Sequence, residues 1–403
     1  MKILFLAPSR LSHGDAGIAA DLARRLPRNR FQVGFVAAAE AMPQLHEVGL
    51  PTLPLGGVTP DENLAVLDRV VRGFRPDCLV AADAFALHQA RAWSGLTLSL
   101  LRERYGLPVG SVDRLGWQAA GYTVDSYGGG QVRIPPLLDG CDLLIRTSPP
   151  HPPESSPPGV AVAALHPGGL HDNGLRPAVA DAAPRGDGPP VVFLVNSPWE
   201  HRTSRGSLPA AQLVDALPRI VHGHLAALDR PLRVIHVGPR RWRFPVAEQI
   251  DYQHFGRLPY PMFHARLAAA DLFLTTNVLS ATLGRAVLAG VPALVLENDR
   301  VREASEFPDW LATLAPLLRT AYPFRVAPLG WYDLVGPLLS GNPYRECFAT
   351  AGIFERTEVL RHLTGLLDDD AVRSRLRQRQ HDYRDRLAEM APPVAAFQEA
   401  VSR

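Results

Sequence analysis

The sequence predicts an α/β protein built from two doubly wound, parallel-sheet domains that face one another across a cleft. Short apolar runs without polar alternation recur along the chain, and segments with apolar residues at helical spacing separate them. Such runs mark strands buried on both faces of a parallel sheet. The pattern lapses once, between about 166 and 190, and then restarts. A chain of 403 residues is also long enough for two cores of ordinary size.

In order, "KILFLAP" (2–8) reads as the first strand and "DAGIAADLARRLP" (15–27) as its helix, with Ile18, Leu22 and Leu26 on one face. Strand-like "FQVGFVAAA" and "TLPLGG" follow, then the helical "ENLAVLDRVVRGF". "DCLVAAD", "GLPVGSVD", "CDLLIRTS" and "VAVAAL" complete the strands of the first half. "HPGGLHDNGLRPAVADAAPRGDGPP" (166–190) has no apolar period and is rich in Gly, Pro and Asp, as a linker requires. "SPPHPPESSPPG" (148–159) is richer still in proline, but the strand after it makes it a surface loop. The second half repeats the alternation: strand "VVFLVNS", helix "AAQLVDALPRIVHGHLAAL", strand "LRVIHVG", helix "MFHARLAAA", strand "DLFLTT", helix "ATLGRAVLAG", strand "PALVLEN". The expected organisation is a first domain over 1–170, a linker over 171–190, a second domain over 191–360, and a polar helical tail over 361–403 that packs back on the first domain.

A net charge of +2 excludes the basic field of a nucleic-acid binder. No apolar run approaches the ~18 residues of a membrane span, and the N-terminal run is too short for a signal peptide, since Pro8 and Arg10 end it. Cys78, Cys141 and Cys347 are scattered, without a CxxC pair or metal-like spacing. These features predict reduced thiols, no resident metal or cofactor, and a cytoplasmic protein. Basic residues are almost all arginine, and Lys2 is the only lysine, which points to a GC-rich genome.

The stretch "FGRLPYPMFHARLAAADLFLTTNVLSATLGRAVLAGVPALVLE" (255–297) resembles the donor half of GT-B glycosyltransferases, in the branch of MurG and the natural-product UDP-sugar transferases. The Ala-Asp before the strand, the hydroxyl of Thr282 and "AGVPALVL" after the helix carry the likeness. "SHGDAGIAADLARRL" (12–26) is similar, without gaps, to the branch's N-terminal motif. The resemblance covers nearly the whole chain. It implies two Rossmann-like domains and metal-independent, inverting transfer of a sugar from a nucleotide-diphosphate donor to a small-molecule acceptor, in bacterial secondary metabolism. Residues of the branch's donor motif fall on Asn277, Leu279, Thr282 and Arg285. Only the hydroxyl is kept. Arg285 stands where the branch has a ribose-binding glutamate, and a guanidinium has donors but no acceptor, so it suits phosphate instead.

The resemblance implies a base in the first loop. Asp15 takes the position of the branch's catalytic histidine, which some antibiotic transferases of the branch also fill with Asp; His13 is the rival. Asp15 equally suits a helix N-cap. Donor phosphates would meet Ser197, Arg240, Asn277, Ser280, Thr282 and Arg285, or Ser280 and Thr282 simply cap their helix, and Arg285 faces solvent. Arg241 and Trp242 flank the same loop. The irregular stretch 113–130 offers Trp117, Tyr122 and Asp125 to an acceptor, or its aromatics belong to the core. Two other classes stay open: a GT-B enzyme of another kind, such as a nucleotide-sugar epimerase or hydrolase, and a non-catalytic activator of a transferase. Neither oligomeric state nor donor base is legible.

Overall fold

The computed structural model describes residues 1–11, 14–117, 121–147, 159–165, 188–314, 316–389 and 393–403. The chain divides into two compact units: unit one is Met1–Tyr122, Ile134–Gly174 and Arg386–Arg403, and unit two is Thr123–Arg133 and Leu175–Asp385.

Unit one holds a parallel sheet of β1 (Lys2–Ala7), β2 (Gln32–Ala37), β3 (Thr52–Pro54), β4 (Cys78–Ala81), β5 (Val109–Asp113), β8 (Leu143–Arg146) and β9 (Ala161–Ala164); β6 (Thr123–Asp125) and β7 (Gln131–Arg133) lie outside it. Its order is β3-β2-β1-β4-β5-β8-β9. The direction of winding reverses between β1 and β4, which pair through Ile3 with Cys78 and Leu6 with Ala81. Strands β1, β4 and β8 are buried almost throughout, hence their unbroken apolar sequences. Helix α1 (Gly14–Arg25) follows β1 and buries Ile18 and Leu22. Helices α2 (Met42–Glu47), α3 (Pro60–Phe74), α4 (Ala84–Ser94) and α5 (Leu98–Tyr105) complete the described layers. The sequence reading passes over α4 and α5. The last helix, Pro393–Ser402, belongs to this unit and buries Phe397, whose ring meets Phe31 at 6.3 Å.

Unit two holds β10 (Val191–Val195), β11 (Leu232–Val237), β12 (Ile250–Phe255), β13 (Leu272–Thr275), β14 (Ala293–Glu297) and β15 (Ala349–Gly352) in the order β12-β11-β10-β13-β14-β15. All these pairings are parallel, and the winding reverses between β10 and β13. The helices are α6 (Pro198–Thr203), α7 (Leu208–Ala226), α8 (Tyr260–Ala268), α9 (Ala281–Leu288), α10 (Tyr332–Leu339), α11 (Arg356–Asp368) and α12 (Asp370–Ala388). The core joins Leu213 and Ile220 of α7 to Val234, Leu274 and Leu294 of the sheet and Leu363 of α11. Strand β12 escaped the sequence reading because "IDYQHF" is mostly polar; it is an edge strand and only half-buried.

Two segments depart from the expected boundaries. Residues 123–133, placed by sequence in the first domain, form an antiparallel hairpin of β6 (Thr123–Asp125) and β7 (Gln131–Arg133) that belongs to unit two. There Tyr127 donates its N–H to Leu329 O at 2.9 Å, and Trp331 donates its own to Asp125 O at 3.0 Å. The tail 361–403 is also divided: α11 and most of α12 belong to unit two. Gln380, polar by sequence, is buried and donates to Val291 O at 3.0 Å and to Cys347 O at 2.9 Å. The expected linker 171–190 lies almost wholly outside the described residues, as does the proline-rich loop 148–158.

Candidate functional site

In an open parallel sheet, ligands are received beyond the carboxyl ends of the strands, where the winding reverses. In unit two that point is the pair of loops after β10 and β13. Behind the first loop lies a chain of hydrogen bonds whose direction is fixed by the Asn196 amide. The backbone N–H of Trp242 can only donate, and it donates to Tyr252 Oη at 3.0 Å. Tyr252 Oη also lies 2.7 Å from His236 Nδ1. Asn196 Oδ1 can only accept, so His236 carries its proton on Nε2 and donates to it at 2.8 Å, which leaves Nδ1 to accept from the Tyr252 hydroxyl. The Asn196 amide in turn donates to the Glu200 carboxylate at 2.9 Å.

Burial sets the ionisation of this relay. It pushes Glu200 up to about 7, against hydrogen bonds from Asn196 and the Ser197 N–H. Burial also pushes His236 down to about 3, which keeps it neutral. Gly238 lets the ends of β10 and β11 come this close, since a Cβ there would lie 2.8 Å from Asn196 O. The sequence marks Asn196 only as the neighbour of Ser197, and does not mark Glu200, His236 or Tyr252. They come from separate segments of the chain, and only strand register brings them together.

The second loop, Thr276–Ser280, leads into α9. Ser280 is the N-cap, accepting from Thr282 N at 3.2 Å. Asn277 is buried and folds the loop on itself, its Oδ1 accepting from Leu279 N at 2.9 Å. The loop is also held by Val278 N to Arg325 O at 3.0 Å and Ala327 N to Thr276 O at 3.1 Å. Arg285 does not face solvent: it is 9 % exposed, with its guanidinium 5.6 Å from the ring centroid of Tyr260, the first residue of α8.

The other expected donor contacts come from the loops after β10 and β11. The Ser197 side chain makes no cap bond, and its N–H is taken by Glu200. Arg240 is half-exposed and pairs with Asp215 on α7 at 3.5 Å. Trp242 is not offered to a ligand: it is buried, with Tyr252 at 4.4 Å and Phe244 at 5.5 Å.

Of the residues assigned to base and acceptor, His13 lies outside the described residues. Asp15 is buried in the first turn of α1, inside the helix rather than at its N-cap. Trp117 is 1 % exposed, stacked on Tyr122 at 5.9 Å and beside Phe85 at 5.5 Å, so its ring is core. Asp125 is in unit two, where its carboxylate accepts from the N–H groups of Tyr332, Asp333 and Leu334 at 2.7, 3.1 and 3.2 Å. That cap occupies the carboxylate. No cluster suited to a metal ion occurs among the described residues, and no described helix is long and apolar enough to cross a membrane.

Two doubly wound parallel sheets with these connections are the GT-B glycosyltransferase fold. Solved structures of that class match along the whole chain. They include the spinosyn forosaminyltransferase SpnP (TM-score 0.60, 14% identity, 100% of both chains) and the spinosyn rhamnosyltransferase SpnG (0.55, 16%, 99% of both). MurG of Acinetobacter baumannii matches with a TM-score of 0.50 and 14% identity, over 96% of this chain and 99% of its own. SpnG has also been solved with thymidine diphosphate and with the spinosyn aglycone. By sequence, the chain belongs to the family of unknown function DUF6365, whose model matches residues 22–403. No curated protein matches it by sequence.

Proposed function

We propose that the protein is a metal-independent, inverting glycosyltransferase that moves a sugar from a nucleotide-diphosphate donor to a small-molecule acceptor in bacterial secondary metabolism. The observation that carries this reading is the loop at the reversal point of unit two. It opens a capped two-turn helix whose N-terminal N–H groups and dipole favour an anion. Thr282 and the buried Arg285 lie on that helix. The ribose-binding acid of the resembling branch is absent, so this reading gives the donor's diphosphate most of its contacts and its ribose few.

In the proposed reaction the acceptor hydroxyl loses its proton to a carboxylate of unit one, for which Asp15 is the candidate. The acceptor oxygen attacks the anomeric carbon from the side opposite the leaving group. The bond to the diphosphate breaks, and its electron pair leaves with the nucleoside diphosphate. Arg285 would stabilise that charge. It is always protonated, and at low exposure its field is little screened.

The test is thermal stability of the full-length protein against UDP, TDP, GDP, ADP and CMP. A nucleotide at ~100 times its Kd adds roughly 2.7 kcal/mol to the folded state. The expected result is a rise with one diphosphate that Arg285→Ala abolishes. No rise with any of them sinks the nucleotide-donor reading. Release of free nucleotide from a nucleotide sugar without an acceptor would favour a hydrolase or epimerase on the same fold.

A further inference from the structure

The loop Thr276–Ser280 is one side of a backbone ladder whose other side is the hairpin β6–β7. Val278 N donates to Arg325 O at 3.0 Å, and Ala327 N donates to Thr276 O at 3.1 Å. Residues 325–331 then turn back on themselves: Arg325 N donates to Gly330 O at 3.0 Å, and Gly330 N donates to Val326 O at 3.0 Å. The end of this turn takes the hairpin, through Tyr127 N to Leu329 O at 2.9 Å and Trp331 N to Asp125 O at 3.0 Å. Antiparallel bridges run the same way, Asn277 with Val326 and Ser126 with Gly330. Three stretches distant in sequence, 125–127, 276–278 and 325–331, are therefore bonded in series.

Side chains hold both ends. Arg325 pairs with Glu297, the last residue of β14, at 3.3 Å, and its guanidinium lies 4.1 Å from the ring centroid of Tyr332. Asp125 accepts from the first N–H groups of α10. The Tyr127 side chain bonds to that of Thr203, the last residue of α6. Thr203 spends its own proton on Trp199 O at 2.7 Å, so Tyr127 is the donor. Gly128 lies against Tyr322 with no room for a Cβ. Because the rungs are in series, the loop cannot shift without breaking one or carrying 325–331 with it. Irregular segments without such bonds open locally at low cost. The foot of the hairpin is in unit one, where Ile134 N donates to Tyr122 O at 2.8 Å and Tyr122 stacks on the buried Trp117.

We infer that the hairpin β6–β7 is a positioning element for the loop Thr276–Ser280: it holds that loop through residues 325–331 and so sets the geometry with which the loop meets its ligand. That the ligand is a nucleoside diphosphate rests on the transferase reading; the hold on the loop does not.

The experiment is hydrogen exchange of the full-length, ligand-free protein, read at the Val278 and Ala327 amides. Two variants undock the hairpin. Gly128→Ala forces its turn away from Tyr322. Replacing 123–133 by Asn-Gly removes it, and the Tyr122–Ile134 hydrogen bond then closes a two-residue turn. In both, Val278 and Ala327 exchange at least about tenfold faster, while the amides of β10 and β13 change by no more than about twofold. Asp125→Ala does the same, and Asp125→Asn, which keeps an acceptor oxygen for α10, restores protection. Unchanged exchange at Val278 and Ala327 overturns the inference. So does an equal rise across all the strands of unit two, which would make the hairpin a general stabiliser. If the shortened chain fails to fold, Gly128→Ala and the Asp125 pair decide. A calorimetric titration with UDP and TDP adds the ligand. Where the wild type binds either, Gly128→Ala binds it at least about tenfold more weakly, and equal binding overturns the positioning role. Binding of neither by the wild type counts against the donor reading, and the exchange result still decides the hold on the loop.

Discussion

Glu200 and His236 are linked through Asn196, yet burial displaces their proton affinities in opposite directions. Glu200 keeps its proton up to about 7 when folded, against an ordinary value of 4.5. Its contribution is fully present below pH 4.5 and is lost as pH rises through 7. His236 binds its proton only near pH 3 when folded, against 6.5. Its contribution is present above 6.5 and is lost as pH falls toward 3. Between about 4.5 and 6.5 the two slopes oppose each other. Glu200→Gln should therefore remove the loss of stability on raising pH, worth up to roughly 3 kcal/mol for 2.5 units (7 − 4.5), and leave the His236 slope exposed. Urea midpoints from pH 4.5 to 8 would show it. A variant whose profile parallels the wild type would mean that Glu200 is already ionised in the folded protein.

Among the elements, α10 and the hairpin β6–β7 depend on each other. α10 follows Trp331, which has a left-handed backbone (φ 51°), so its first turn has no cap from its own sequence. Asp125 supplies one from about 200 residues earlier, with Trp331 Nε1 also donating to Ser126 Oγ at 3.2 Å. Gly128 fits the hairpin turn twice over: its φ is +71°, and a Cβ there would lie 2.7 Å from the Tyr322 Cβ. Asp125→Ala should lower stability by about 1–2 kcal/mol, as loss of an N-cap does, and Asp125→Asn by less. Equilibrium denaturation would measure both. No change in Asp125→Ala would mean that solvent satisfies those three N–H groups equally well.

At the scale of the whole molecule, the two units exchange segments. Unit two takes residues 123–133 from within the span of unit one, and unit one takes back residues 386–403. Phe397 is completely buried in unit one, with Ala396 and Ala400 beside it. Phe397→Ala should cost about 3–5 kcal/mol, the range for a large aromatic removed from a packed core. It should act on unit one although the residue lies after unit two in the chain. Hydrogen exchange would then show faster exchange in β8 and β9, the strands this helix packs on. Loss of protection confined to unit two would contradict this assignment.

By itself the sequence determined the alternation of buried strands and helices, because strands covered on both faces must be apolar throughout and helices between them must carry an apolar stripe. That was enough for two doubly wound domains, and the residues 255–297 were enough for the GT-B resemblance. It also marked the loop 276–280 and its Ser280, since hydroxyls ahead of an apolar helical period have few other uses. Only the tertiary structure decided the rest. Whether Arg285 faces water or the interior depends on what packs against α9, and Tyr260 comes from another helix. Asp125 changed from an expected ligand contact to a cap because its partner is distant in the chain. The Glu200–Asn196–His236–Tyr252 relay was invisible for the same reason. It is assembled by parallel register across strands tens of residues apart, and a local pattern carries no record of register.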